Sequence, residues 1–183
     1  FEKGHTVVCE VTPYDSEDVG VPVTSGTLTI GNTPPTAAEV RITPIEPLTE
    51  DDLTVTITSP SEDADGDPVI YRYAWSVDDV DAGVSGATLP KEFTSKEETW
   101  TVTVTPTDGD LDGPSVAASV TIGNTPPAMT AIMLTPSEAF ETTTLTCTSS
   151  GEDDDGDALV FAYSWTVNGA EIDASGTTLT GED

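Results

Sequence analysis

The sequence predicts an all-β protein built of tandem β-sandwiches, and three observations carry that prediction. Residues 61–77 (SEDADGDPVIYRYAWSV) and 151–167 (GEDDDGDALVFAYSWTV) each run from an acidic, Gly-centred loop into a strand that alternates strictly. Tyr71, Tyr73, Trp75 and Val77 face one way and Arg72, Ala74 and Ser76 the other, the period of a half-buried strand. The chain also repeats: GNTPP stands at 31–35 and 123–127, 92 residues apart, and the acidic loop recurs after 90. Finally, no stretch carries a helical period.

Two units of about 92 residues therefore fill the 183-residue chain. Each is the size of one sandwich domain and long enough to bury a core. Taken in order, His5–Val11 alternates through Val7, Cys9 and Val11, and Thr24–Ile30 through Leu28 and Ile30. Two strands cannot stand alone, so residues 1–32 are a piece of a domain. The Pro pair of GNTPP imposes extended backbone and removes two donors, as a short stiff linker requires.

Residues 33–124 then form a full unit. Its strands, lettered in order, are A (Glu39–Thr43), B (Leu53–Thr58), C (Val69–Val77), a weak D/E region through Ala87–Leu89, F (Trp100–Thr105) and G (Val116–Ile122). Residues 125–183 supply A (Thr130–Thr135), B (Thr144–Thr148), C (Leu159–Val167), an Asn168-Gly169 hairpin turn and a weak E strand ending near Thr180, but no F or G. The missing part stands at the other end. TTLTGED (177–183) followed by FEKGHTVVCEVTP (1–13) reads like 87–106 of the intact unit. The expectation is a two-unit repeat opened in one E–F loop, with residues 1–32 serving as strands F and G of another copy.

Five Lys+Arg against 34 Asp+Glu give a formal charge of −29, which repels nucleic acid and anionic membranes and attracts divalent cations. Acidic chains with few aromatics are often disordered, but the regular apolar alternation argues against that here. No apolar run approaches the 18 or so residues of a membrane span. The chain begins at Phe1 without Met or signal peptide, so it is expected to be processed or cut from something longer. Two cysteines allow one disulfide and suggest export.

The acidic loops carry the chemical signal. Asp63, Asp65 and Asp67 surround Gly66, and Asp153, Asp155 and Asp157 surround Gly156. A hard cation such as Ca²⁺ takes six to eight oxygens, and Gly lets a loop wrap it. Glu62, Glu152, Asp108 and Asp110 are candidates to complete the sphere. The register is not that of an EF-hand, whose twelfth position would fall on Arg72 or Ala162. The same residues also fit a solvated turn on an acidic surface and, less well, a catalytic carboxylate pair.

Thr-x-Thr runs (Thr54, Thr56, Thr58; Thr101, Thr103, Thr105; Thr144, Thr146, Thr148) fit a polar strand face. O-glycosylation and a flat array binding ice or polysaccharide are the alternatives. His5 is the only histidine, Gly109 and Gly113 read as turn residues, and no catalytic constellation accompanies them. No N-x-[ST] sequon exists, because Asn32 and Asn124 each precede Thr-Pro.

The N-T-P-P linker, the D-x-D-G-D loop and the Y-x-Y-x-W strand together resemble the PKD/cadherin-like branch of immunoglobulin-like repeats in large bacterial and archaeal surface proteins. The resemblance covers essentially the whole chain. It implies a buried strand-C Trp, Trp75 or Trp165, packed between strands B and F. Aligned on the acidic loops, Cys147 of strand B falls opposite Ile57; aligned on the Thr-Pro that ends strand F, Cys9 falls opposite Val102. The intact unit would close its core with that Ile/Val pair. With a whole unit between them in one chain, the two cysteines are expected to pair between copies, Cys147 of one with Cys9 of the next. The functional expectation is a non-enzymatic, extracellular filament, stalk or fibre joined head to tail and stiffened by Ca²⁺. A glycan- or surface-binding adhesin is the alternative, although all three Trp fall on inward positions. A spacer of a secreted hydrolase is the other. Whether the copies are separate subunits or periods of one longer chain stays open.

Overall fold

β-branched and aromatic residues at every second position make short strands, and Gly, Pro and Asp punctuate them. The computed structural model describes residues 1–181. Its strands are β1 (Thr6–Val7), β2 (Glu10–Val11), β3 (Val23–Thr24), β4 (Leu28–Thr29), β5 (Glu39–Thr43), β6 (Leu53–Ser59), β7 (Ile70–Val77), β8 (Val80–Val84), β9 (Thr88–Leu89), β10 (Thr99–Thr107), β11 (Val116–Thr121), β12 (Ala128–Thr135), β13 (Leu145–Glu152), β14 (Trp165–Val167), β15 (Ala170–Ile172) and β16 (Thr178–Leu179). Among the described residues the only helical turn is a 3₁₀ turn at Lys91–Phe93.

The middle of the chain is an immunoglobulin-like sandwich. One sheet has the order β5-β6-β9 and the other β11-β10-β7-β8, with every pair antiparallel. In letters these are A-B-E against G-F-C-C′. Ile42, Leu53, Val55 and Leu89 from the first sheet meet Trp75, Trp100, Val102 and Val104 from the second. Each side chain so buried stabilises the fold by about 1.5–3 kcal/mol. Trp75 and Trp100 meet edge to face, centroids 6.5 Å apart, and Trp75 Nε1 donates to Gly86 O at 3.0 Å, so the buried indole leaves no donor unpaired.

The weak D/E region expected through Ala87–Leu89 supplies only β9, and β8 (Val80–Val84) is a strand beyond those expected. Asp78 and Asp79 both adopt positive φ (46° and 67°), the backbone of a tight hairpin, and fold β8 back onto β7. Aspartates tolerate that conformation, but an Asp-Asp pair among so many acids gave no clear turn signal.

The Thr faces form cross-strand hydroxyl pairs, Thr101 with Ser119 at 2.8 Å and Thr105 with Ser115 at 2.8 Å.

The two ends of the chain form smaller sheets. At the N-terminus β1 pairs with β4 and β2 with β3. Thr6 opposes Thr29 and Val7 opposes Leu28, the repeat-equivalents of Thr99 opposite Thr121 and Trp100 opposite Val120. The two expected continuous strands are each broken, because Ser25 intervenes. Its N–H donates to Cys9 O at 2.7 Å and its hydroxyl accepts from Cys9 N–H at 2.9 Å.

At the C-terminus β12-β13-β16 form one sheet and β14-β15 a hairpin through Asn168 and Gly169, both at positive φ. Strand C, expected from Leu159 to Val167, is reduced to β14. In the intact unit Tyr71 and Tyr73 are held by Pro106 and Val104 of β10, and among the described residues no strand plays that part for 159–164.

Strand pairing also corrects the cysteine alignment. Leu145 opposes Leu179 as Leu53 opposes Leu89, and Leu134 opposes Cys147 as Ile42 opposes Val55. Cys147 N–H donates to Thr177 O just as Val55 N–H donates to Ala87 O. The counterpart of Cys147 is therefore Val55, not Ile57. The second unit is two residues shorter between strand B and the acidic loop, so an alignment anchored on the loop displaces strand B by two. Parity, and hence the inward face, is unchanged.

Candidate metal centres at the unit junctions

Each acidic loop sits where a linker enters the following unit. In the first, Gly66 at φ 80° lets the loop close, and Asp63 Oδ1 accepts from the N–H groups of Asp65 (2.8 Å) and Asp67 (3.2 Å). Asp65 Oδ2 accepts from the linker N–H of Thr33 at 2.6 Å. The second loop repeats the arrangement. Gly156 has φ 76°, Asp153 Oδ1 accepts from Asp155 and Asp157, both at 3.0 Å, and Asp155 Oδ2 accepts from Thr125 N–H at 2.6 Å. In each triplet, one carboxylate oxygen per residue lies within 4.8 Å of the others. The predicted site residues Asp63, Asp65 and Asp67, and Asp153, Asp155 and Asp157, are thus brought together as two clusters.

Part of the negative charge is offset by one lysine at each cluster, neither of them singled out from the sequence. Lys3 Nζ donates to Asp67 at 2.7 Å and reaches Asp110 at 3.5 Å; Lys96 Nζ donates to Asp157 at 2.6 Å and to Asn124 Oδ1 at 3.3 Å. The hydrogen bonds to Asp67 and Asp157 hold the pKa of Lys3 and Lys96 above the ordinary lysine value. Both lysines precede strand F at the same place in the repeat. The match of 1–13 with 94–106 carries this signal, since it sets Lys3 opposite Lys96.

Of the residues proposed to complete the sphere, Asp108 accepts from Asn32 Nδ2 at 2.7 Å. The Leu111 N–H first, and then that amide, keep its carboxyl below the usual range. Asp110 joins through Lys3, while Glu62 meets Thr36 through its backbone. The Thr49 hydroxyl, from the A–B loop of the intact unit, donates to Asp155 and lowers its pKa.

Two acceptors in the first site have no donor: Asp63 Oδ2 and Asn32 Oδ1 are both shut off from water. An acceptor oxygen shut off from water without a donor is uncommon in a folded chain, and Asp63 Oδ2 belongs to the carboxylate triplet itself. The predicted core residues Trp75 and Trp165 are buried, Trp165 through the same Nε1 bond, to Gly176 O at 3.1 Å. Cys147 lies on β13, half-buried, and Cys9 is exposed on the N-terminal hairpin. His5 is exposed beside Glu2.

No family model matches the chain, and no curated protein matches it. Among solved structures it is similar to the crystal structure of chicken CNTN1 FN1-FN3 domains, at 13% identity and a TM-score of 0.41. That likeness covers 99% of this chain, which spans 64% of the other chain's length.

Proposed function

We propose that this is a non-enzymatic, extracellular structural repeat protein of the PKD/cadherin-like kind, whose copies join head to tail into a filament, stalk or fibre with Ca²⁺ at the acidic junctions. The observation that carries this reading is the complementarity of the two ends. The C-terminal sheet presents strands A, B and E with a shortened C, and the N-terminal hairpin has the pairing register of strands F and G. One copy's hairpin added to the next copy's open unit restores the sandwich that residues 33–124 make alone, by strand addition. Cys9 would then enter strand F and face Cys147 of strand B, in the places that Val102 and Val55 take in the intact core.

In the first site Asp63, Asp65, Asp67 and the Asn32 carbonyl would hold the ion; in the second, Asp153, Asp155 and Asp157. Bound Ca²⁺ would add charge compensation and tie linker to loop. Among the described residues no helix is long and apolar enough to cross a membrane. Negative-stain microscopy of the 183-residue chain in millimolar Ca²⁺ tests the reading. End-to-end fibres that grow more flexible on chelation are expected. Single particles at every concentration would contradict it.

A further inference from the structure

We propose that the loop Pro13–Gly20 of one copy docks, already shaped, into the groove beside the second acidic loop of the next copy, placing Asp15 on Asn124, Glu17 on Lys96 and Val19 on Ala162. This rests on the head-to-tail reading and names the contacts that give it specificity. The loop is built like its counterpart in the intact unit. Gly20 N–H donates to Pro13 O at 2.8 Å as Gly113 N–H donates to Pro106 O at 2.9 Å, and Tyr14 bridges Val19 as Thr107 bridges Asp112. Asp15 Oδ1 accepts from the N–H groups of Glu17 and Asp18 as Asp108 Oδ1 accepts from those of Asp110 and Leu111. The loop holds this form while Tyr14 and Val19 stand 82% and 75% exposed.

The receiving groove has a volume of about 390 Å³ and is lined by Asn124, Pro127, Ala128, Leu159 and Phe161 among others. In the intact unit the same place is filled: Pro35 and Pro106 are fully buried, and a Cβ on Gly113 would lie 2.3 Å from Pro35 O. Pro127, the counterpart of Pro35, is exposed.

Charge points to the same occupant. In the intact unit the Asn32 amide donates to Asp108, and Lys3 reaches Asp110. In the open unit the Asn124 amide turns back to Thr125 O, and Lys96 turns to Asn124 Oδ1. Asp15 and Glu17 are the carboxylates that the repeat places opposite those two donors. Arg72 and Asp112, an ion pair in the intact unit, are replaced by Ala162 and Val19. Both partners of the pair become apolar together, although they lie at opposite ends of the chain. That is what a contact between copies requires.

Sedimentation velocity of the 183-residue chain at low salt reads the docking, with melting of the intact unit as a folding control. Val19→Asp should weaken self-association about tenfold, and Ala162→Arg added to it should restore most of the loss. Lys96→Glu and Glu17→Lys should each weaken it, and together recover it. If the wild-type chain associates but none of these variants shifts the equilibrium, the docking is wrong and head-to-tail joining survives. If the wild-type chain stays monomeric throughout, both fail.

Discussion

Residues 33–124 and 125–181 carry the same pattern and bury it very differently. Ile42 is 3% exposed and its counterpart Leu134 is 53%. Leu53 is 0% exposed, whereas its counterpart Leu145 is half-buried. At the other end Val104 is 0% exposed and Val11 is 62%. Alternation makes a strand with an apolar face, but only an opposing sheet removes that face from water. The strand-C positions are the exception: Trp165 keeps nearly the burial of Trp75, with its Nε1 bonded to Gly176 O, and Phe161 and Tyr163 stay half-buried like Tyr71 and Tyr73. Residues 125–181 therefore hold a strand framework whose apolar face is only partly covered.

The largest expected break in the comparison is at the tryptophans. Trp75→Ala should cost the intact unit about 3–5 kcal/mol, through lost burial and the cavity left behind. Trp165→Ala in the lone chain should leave that unit's melting transition where it is. Calorimetry of both variants checks this; equal losses would mean that the two units share one cooperative core.

A second change makes the intact unit resemble the composite one. Val55→Cys with Val102→Cys should form a disulfide under mild oxidation and stabilise unit 33–124 by about 2–4 kcal/mol. Failure of that pair to close, with Ile57→Cys closing instead, would overturn the alignment of Cys147 with Val55.

Calcium should act next. A cation bound only by the folded state at a hundredfold excess over Kd adds about 2.7 kcal/mol. Melting in Ca²⁺ should exceed melting in EGTA, and Asp63→Asn should remove the difference for the intact unit. Superimposed curves would leave the acidic loops as solvated turns.

The smallest effect concerns Asp15. Backbone N–H groups of Asp18 and Glu17 hold its carboxyl below its ordinary value of 3.8. A lowered folded pKa contributes stability above the unfolded value, and loses it as pH falls through the folded one. An NMR titration should place Asp15 below the ordinary range in the lone chain, as expected of a loop shaped before docking. A carboxyl titrating at its ordinary value would mean that the turn forms only on contact.

Much of this was legible in the residues. Strand A at Glu39–Thr43 coincides with β5, and the Asn168-Gly169 turn stands where its two residues demanded it. The acidic clusters could be read as clusters because each D-x-D-G-D run holds three carboxylates within five residues. Three things were hidden, each for a physical reason. Strand β8 rests on positive φ at Asp78 and Asp79, which composition does not announce. The shortening of strand C follows from a missing partner, which no local pattern records. The roles of Lys3, Lys96, Asn32 and Asn124 come from neighbours far along the chain: 64 residues separate Lys3 from Asp67, and 61 separate Lys96 from Asp157.

The central claim is that the two ends of one copy complete units in its neighbours. Disulfide mapping after gentle oxidation of the 183-residue chain tests it most directly. The account predicts a Cys9–Cys147 peptide bridging two copies, and a ladder on non-reducing gels that collapses to a 19.0 kDa species with reductant. A 19.0 kDa monomer without reductant, both thiols free, or a bridge joining Cys9 to Cys9, would contradict it.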